Sequence, residues 1–211
     1  MRLLIRVVAF VAVLVVGLLG IGFLLADKVH IERSAKIGAA PATLYGVVNS
    51  FEQFDQWSPW AELDPDMKVE RSGPPAGVGA RYAWHGNAEA GSGSQEIIES
   101  TPDRKVVIRL SFDGFDQPST STMTIEADGG GSLVTWAFDS NLGSNPVHRY
   151  FGLMMEKYVG EDYEKGLAKL KTLAESLPPP ATAPAAEGET APAEAPAPAP
   201  AAASTPEAAG Y

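Results

Sequence analysis

Residues 146–177, PVHRYFGLMMEKYVGEDYEKGLAKLKTLAESL, hold Phe151, Met154, Met155, Tyr158, Gly166, Leu167, Leu170, Leu173, Ala174 and Leu177 at mostly three- and four-residue intervals. That spacing lays one apolar stripe along a single long helix. Pro146 suits its first turn and Pro178 stops it. A helix with one apolar stripe needs a partner surface, and the preceding residues supply one. From Lys68 onward the period changes to two: GARYAWHG, SQEIIES, KVVIRLSF, STMTIEA and SLVTWAF alternate apolar and polar residues. One sheet closed by one helix is the simplest arrangement that buries both faces.

Turn residues separate the alternating segments: Gly73-Pro74-Pro75, the glycines near Gly91 and Gly93, Pro102-Asp103 and Gly129-Gly130-Gly131. With a first strand over VHIERSAKI and another over Met67–Ser72, about seven strands are expected, paired antiparallel as a meander. Pro41–Asn49 reads as a short helix, with Leu44, Val47 and Val48 on one side. FEQFDQWSPWAELDPDM, punctuated by Pro59 and Pro65, reads as a helical turn followed by an ordered loop.

Ahead of this domain, residues 7–26 are twenty consecutive uncharged residues. As a helix they span roughly 30 Å, the thickness of a bilayer's hydrocarbon core. Leu24 in LLA spoils a small-x-small cleavage site, so an uncleaved anchor is expected over a removed signal peptide. The expected organisation is a short basic N-terminus (1–6), a transmembrane helix (7–26), the folded domain (27–177) and a tail (178–211). Arg2 and Arg6 favour a cytoplasmic N-terminus against Lys28, Arg33 and Lys36 on the other flank. The chain therefore reads as a single-pass protein of a bacterial-type inner or plasma membrane, its folded domain on the non-cytoplasmic side.

The tail is built from Pro, Ala, Glu, Thr and Ser, which cannot bury enough surface to offset chain entropy, and disorder is expected. It reads as a solvated tail or as a spacer. The chain has no cysteine, which excludes disulfides and a lipoprotein anchor. With 26 acidic against 16 basic residues, it lacks the clustered basic face that nucleic-acid backbones require.

Few residues suggest chemistry. His30, His85 and His148 are far apart and fit neither a metal spacing nor a nucleophile signature, and no metal or organic cofactor is implied. Asp64 and Asp66 read as a solvated acidic turn, and GPPAGVGA is no phosphate loop because its prolines lack amide donors. Alternation places Tyr82, Trp84, Ile97, Val106, Ile108, Leu110, Phe112, Met123, Ile125, Val134, Trp136 and Phe138 inward, facing Phe151, Met154, Met155 and Tyr158 of the helix. Such aromatics and methionines serve equally as core or as an adaptable apolar lining. Trp57 and Trp60, in WSPW, fit a pocket wall and a cap on the sheet equally well.

The strings SAKIGAAPATLYGVVNSFEQFDQWSPW, LDPDMKVERSGPPAGVGARYAWHGN, GSGSQEI and MMEKYVGEDYEKGLAKLK resemble the polyketide cyclase/dehydrase-like branch of the START-like (SRPBCC, Bet v 1-type) superfamily. The resemblance runs from about Ile31 to Glu175 and excludes both the apolar N-terminal segment and the tail. It implies an α+β helix-grip fold, a seven-stranded antiparallel sheet curved around the C-terminal helix over an apolar cavity. It also implies binding of lipids, polyketides or other hydrophobic molecules, with cyclisation or dehydration in some members. Carried onto this chain, the cavity wall includes Trp57, Trp60, Tyr82, Trp84, Trp136, Met154, Met155 and Tyr158. Periodicity adds Phe138 and Phe151 as ligand-binding residues. The expected function is a membrane-anchored protein that binds a hydrophobic small molecule or lipid. One alternative is a cyclase/dehydrase-type enzyme using Tyr82, Tyr158 or His85 as proton donor or base. The other is a tethered interaction or stress-related scaffold, for which the sequence names no protein partner.

Overall fold

The computed structural model describes residues 1–115 and 117–178. The expected disordered tail lies, beyond Pro178, outside the described residues. The elements run α1 (Arg2–Leu24), β1 (Lys28–Ile37), α2 (Pro41–Val48), α3 (Phe54–Trp57), β2 (Lys68–Ser72), β3 (Arg81–His85), β4 (Ser92–Thr101), β5 (Lys105–Phe112), β6 (Ser119–Asp128), β7 (Gly131–Asn141) and α4 (Pro146–Ser176). The seven strands form one sheet in the order β1-β7-β6-β5-β4-β3-β2, every pair antiparallel. This is the expected helix-grip architecture: a meander from β2 to β7, with β1 returning to pair with β7.

Strand β4 has a register shift against β5 between Ile97 and Glu99. A bulge of this kind bends and twists its strand, which helps the sheet curl over the helix. Glycine lets the layers come close. A Cβ on Gly166 of α4 would lie 2.6 Å from the Trp136 ring of β7 and 3.2 Å from Pro59. One on Gly93 of β4 would lie 2.7 Å from the Trp84 ring.

Helix α4 starts at Asn145, whose side chain accepts a bond from the Val147 amide, with Pro146 in the first turn. Its buried stripe matches the expected one at Gly166, Leu167, Leu170 and Ala174 and departs from it nearer the start of the helix. Counting back from the fully buried Leu170 and Leu167 in steps of three and four gives Tyr163, Val159 and Met155, and these three face the sheet. Phe151, Met154 and Tyr158, expected to face inward, are 54%, 53% and 55% exposed, and Met154 and Tyr158 lie one position off that stripe. Only Met155 of the four helix residues proposed for the cavity reaches it. Arg33 of β1 crosses the helix at Gly160 and pairs with Glu156 (3.1 Å) and Glu164 (2.8 Å), fixing α4 over the β1 edge.

The first turns of α4 pack against the end of α1. A Cβ on Gly22 would lie 2.7 Å from Pro146, Tyr150 Oη donates to the Leu18 carbonyl (2.5 Å), and Arg149 donates to the carbonyls of Phe23 (3.0 Å) and Leu25 (3.2 Å). The rest of α1 is exposed apolar surface. Among the described residues it is the one helix long and apolar enough to cross a membrane, a property that anchors and signal sequences share.

Candidate functional site

The inner face of the sheet, α3 with the loop after it, and the middle of α4 enclose a cavity of about 300 Å³. That volume is at the small end of the range for small-molecule sites. Strands β3 and β4 contribute Tyr82, Trp84 and Gln95, strands β5 and β6 contribute Val106, Ile108, Leu110, Phe112, Ser121 and Met123, and β7 contributes Trp136 and Phe138. Helix α3 and its loop add Phe54, Trp57, Ser58, Trp60 and Met67, and α4 adds Met155, Val159 and Tyr163. Of the ten residues singled out from the sequence, seven converge here: Trp57, Trp60, Tyr82, Trp84, Trp136, Phe138 and Met155. Phe151, Met154 and Tyr158 do not.

The aromatic rings form a connected wall. Trp136 stacks on Tyr163 and meets Trp57 and Trp60 edge-on, at 5.4 and 5.9 Å between centroids. Phe54 meets Trp57 at 5.0 Å and Tyr82 at 5.2 Å, and Trp84 meets Phe112 at 5.8 Å. Such edge-to-face pairs hold large rings in fixed orientation.

Most polar tips of these rings are held by the protein. Trp60 Nε1 donates to Asp162 (3.1 Å), Trp84 Nε1 to the Ala90 carbonyl (3.3 Å) and Trp136 Nε1 to Ser121 Oγ (2.7 Å). Tyr82 Oη donates to Asp55 (2.6 Å), which also pairs with Arg71. Burial, then the bond to Asp55, pushes the Tyr82 phenol well above its ordinary pKa; burial does the same to Tyr163. Trp57 Nε1 is buried with no hydrogen-bond partner among the described residues.

The loop after α3 is fastened to two neighbouring elements. Asp64 accepts from the Asn87 amide (2.6 Å) and Asn87 Nδ2 donates to the Leu63 carbonyl (3.1 Å), clasping it to the β3–β4 turn. Lys169 reaches Glu62 at 2.7 Å, and with the Trp60–Asp162 bond this ties the loop to α4. Asp64, expected in a solvated turn, is half-buried and joins that turn to the one between β3 and β4.

Of the three side chains considered as proton donors or bases, only Tyr82 lines the cavity among the described residues. Tyr82 donates its hydrogen bond to Asp55, while His85 and Tyr158 are exposed and outside the lining. Among the described residues, Glu89, exposed in the β3–β4 turn, is the one charged residue of the lining, and no Lys, Arg or His contributes. No three His, Asp or Glu side chains converge as metal ligands among the described residues.

Sequence reasoning missed Gln95, Tyr163, Ser121, Asp55 and Asp162. Two carried a usable signal. Gln95 lies two residues before the inward Ile97, on the same face by alternation, and Tyr163 lies four residues before Leu167.

Comparison with known proteins agrees with this geometry. No curated protein sequence matches the chain. Among solved structures, the Aha1 dimer protein from Colwellia psychrerythraea superposes with a TM-score of 0.52 at 17% identity, covering 70% of this chain and 97% of that one. The di-domain ARO/CYC StfQ from the steffimycin biosynthetic pathway superposes with a TM-score of 0.53 at 12% identity, over 70% of this chain and 51% of its own. Protein Ms6760 from Mycobacterium smegmatis gives 0.50 at 15% identity, over 72% and 98%. At these identities the likeness establishes the fold. The sequence model for polyketide cyclase/dehydrase and lipid transport proteins matches residues 28–175, nearly the whole of the helix-grip domain, and the chain belongs to that family.

Proposed function

We propose that this protein binds a hydrophobic small molecule or lipid in the cavity beneath α4 and is held at a membrane by α1. The observation that carries the reading is a pre-formed cavity of about 300 Å³ walled by fixed aromatic rings, whose Tyr82, Trp60, Trp84 and Trp136 tips are bonded to protein. A wall so arranged presents ring faces and alkyl groups to its occupant, the chemistry of an apolar site.

Support for the anchor comes from the α1–α4 contact. Leu18, whose carbonyl accepts from Tyr150, lies six residues before the end of α1, roughly 9 Å along the axis. With α1 across a bilayer, the start of α4 sits in the interfacial layer. Its outward apolar residues Val147, Phe151, Met154 and Tyr158 suit that layer better than water. The charge bias of Arg2 and Arg6 supports a folded domain on the non-cytoplasmic side.

The test is displacement of an environment-sensitive naphthalene dye from the full chain in lipid nanodiscs. Saturable binding weakened by Met155→Asp supports the reading. Absence of saturable binding above protein-free nanodiscs contradicts it.

A further inference from the structure

Gln95 stands out in the cavity wall. It is 6% exposed and lies on β4 between Tyr82 of β3 and Leu110 of β5. It lines the cavity, and its amide makes no hydrogen bond among the described residues, unlike the neighbouring Tyr82, Trp84 and Trp136 tips. A primary amide carries two donors and an acceptor; the Gln95 amide is not among the buried polar atoms left without a partner, so it keeps surface open to the cavity, and an apolar occupant that covered it would leave it unpaired at a cost. The buried Trp57 N–H is a further unpaired donor in the same wall.

The charges of the wall are equally informative. Among the described residues it contains no Lys, Arg or His, and its one charged residue, Glu89, is acidic. A carboxylate or phosphate inside would be desolvated without a counter-ion. A pure hydrocarbon would leave the Gln95 amide unpaired.

Resting on the hydrophobic-binding reading above, we infer that the cavity selects neutral oxygen-bearing apolar molecules, whose carbonyl or hydroxyl pairs with the Gln95 amide. Hydrocarbons and anionic lipids such as free fatty acids are disfavoured.

Three probes of similar shape separate these chemistries: methyl naphthyl ketone, ethylnaphthalene and naphthoate. Each is titrated at neutral pH against the full chain in nanodiscs by quenching of tryptophan fluorescence, with protein-free nanodiscs as blank. The ketone is expected to bind at least about 30-fold more tightly than naphthoate, because the buried carboxylate has no partner. Gln95→Leu is expected to lower the affinity for the ketone relative to ethylnaphthalene by roughly three- to tenfold, the worth of one neutral hydrogen bond, while retaining ethylnaphthalene. Gln95→Met serves the same purpose if the leucine variant does not fold. Naphthoate binding as tightly as the ketone, or an unchanged ketone-to-hydrocarbon ratio in a folded variant, overturns the inference. Failure of all three probes to bind contradicts the hydrophobic-binding reading itself and removes the inference with it.

Discussion

The Tyr163 ring stacks on the Trp136 indole with 3.8 Å between centroids and 12° between planes, joining α4 to β7 across the cavity floor. The stack forms because Gly166, one turn along α4, gives the Trp136 ring room to lie against the helix backbone.

Gly166→Leu tests that relationship. Glycine inside a helix costs about 1 kcal/mol relative to alanine, so propensity alone predicts that a larger residue stabilises. The side chain would instead meet Trp136 and Pro59, and overpacking of this kind costs on the order of 2 kcal/mol. The expected outcome is a lower melting temperature; an unchanged or raised one contradicts the close packing.

The Asp55–Tyr82 bond is expected to couple in a double-mutant cycle. Asp55→Ala leaves a buried phenol unpaired and removes Arg71's partner, at a cost of about 1–3 kcal/mol. Made in a Tyr82→Phe background, the same change costs less, because the orphaned hydroxyl is gone. Additive losses in chemical denaturation would rule the coupling out.

Alkaline pH offers a separate check. The folded-state pKa values of Tyr82 and Tyr163 are raised, chiefly by burial, above the ordinary phenol value near 10. Below that value both states keep the proton and the contribution is fully present. As pH rises past it the unfolded phenols ionise first, so stability falls toward the folded-state pKa values. In a native-state absorbance titration, Tyr82→Phe and Tyr163→Phe are each expected to remove signal from the late, high-pH part of the curve. Loss of early signal instead contradicts the burial argument.

Met155 and Met154 are adjacent but face different surroundings. Met155→Asp puts a charge into the cavity wall and is expected to weaken dye binding at least tenfold, given the cost of desolvating an unpaired carboxylate. Met154→Ser and Phe151→Ser change exposed positions and are expected to leave dye affinity within about twofold and folding stability within about 0.5 kcal/mol. Equal effects from Met154 and Met155 would contradict the helix phase.

That phase shows where the sequence was legible and where it was not. Strand alternation placed Tyr82, Ile97, Val134, Trp136 and Phe138 inward, and Pro146 set the start of α4, because both signals are local. Phe151, Met154 and Tyr158 misled because apolar residues at exposed positions of α4 read the same in sequence as the buried ones. The partners Asp55, Asp162 and Ser121 are invisible for a different reason: each meets its aromatic partner across a long stretch of chain, or from a neighbouring strand whose register sequence alone leaves open. Gln95 was legible by parity with Ile97, although a lone polar residue in an alternating strand reads as outward until its neighbours fix the face.

The most direct measurement is native mass spectrometry of the full chain purified from its own membrane in mild detergent and released in the gas phase. The account predicts a reproducible added mass of a few hundred daltons, a neutral apolar species recoverable by organic extraction and diminished in Met155→Asp. Protein that is consistently empty, or whose adduct is equally abundant in that variant, would contradict a ligand-binding cavity beneath α4.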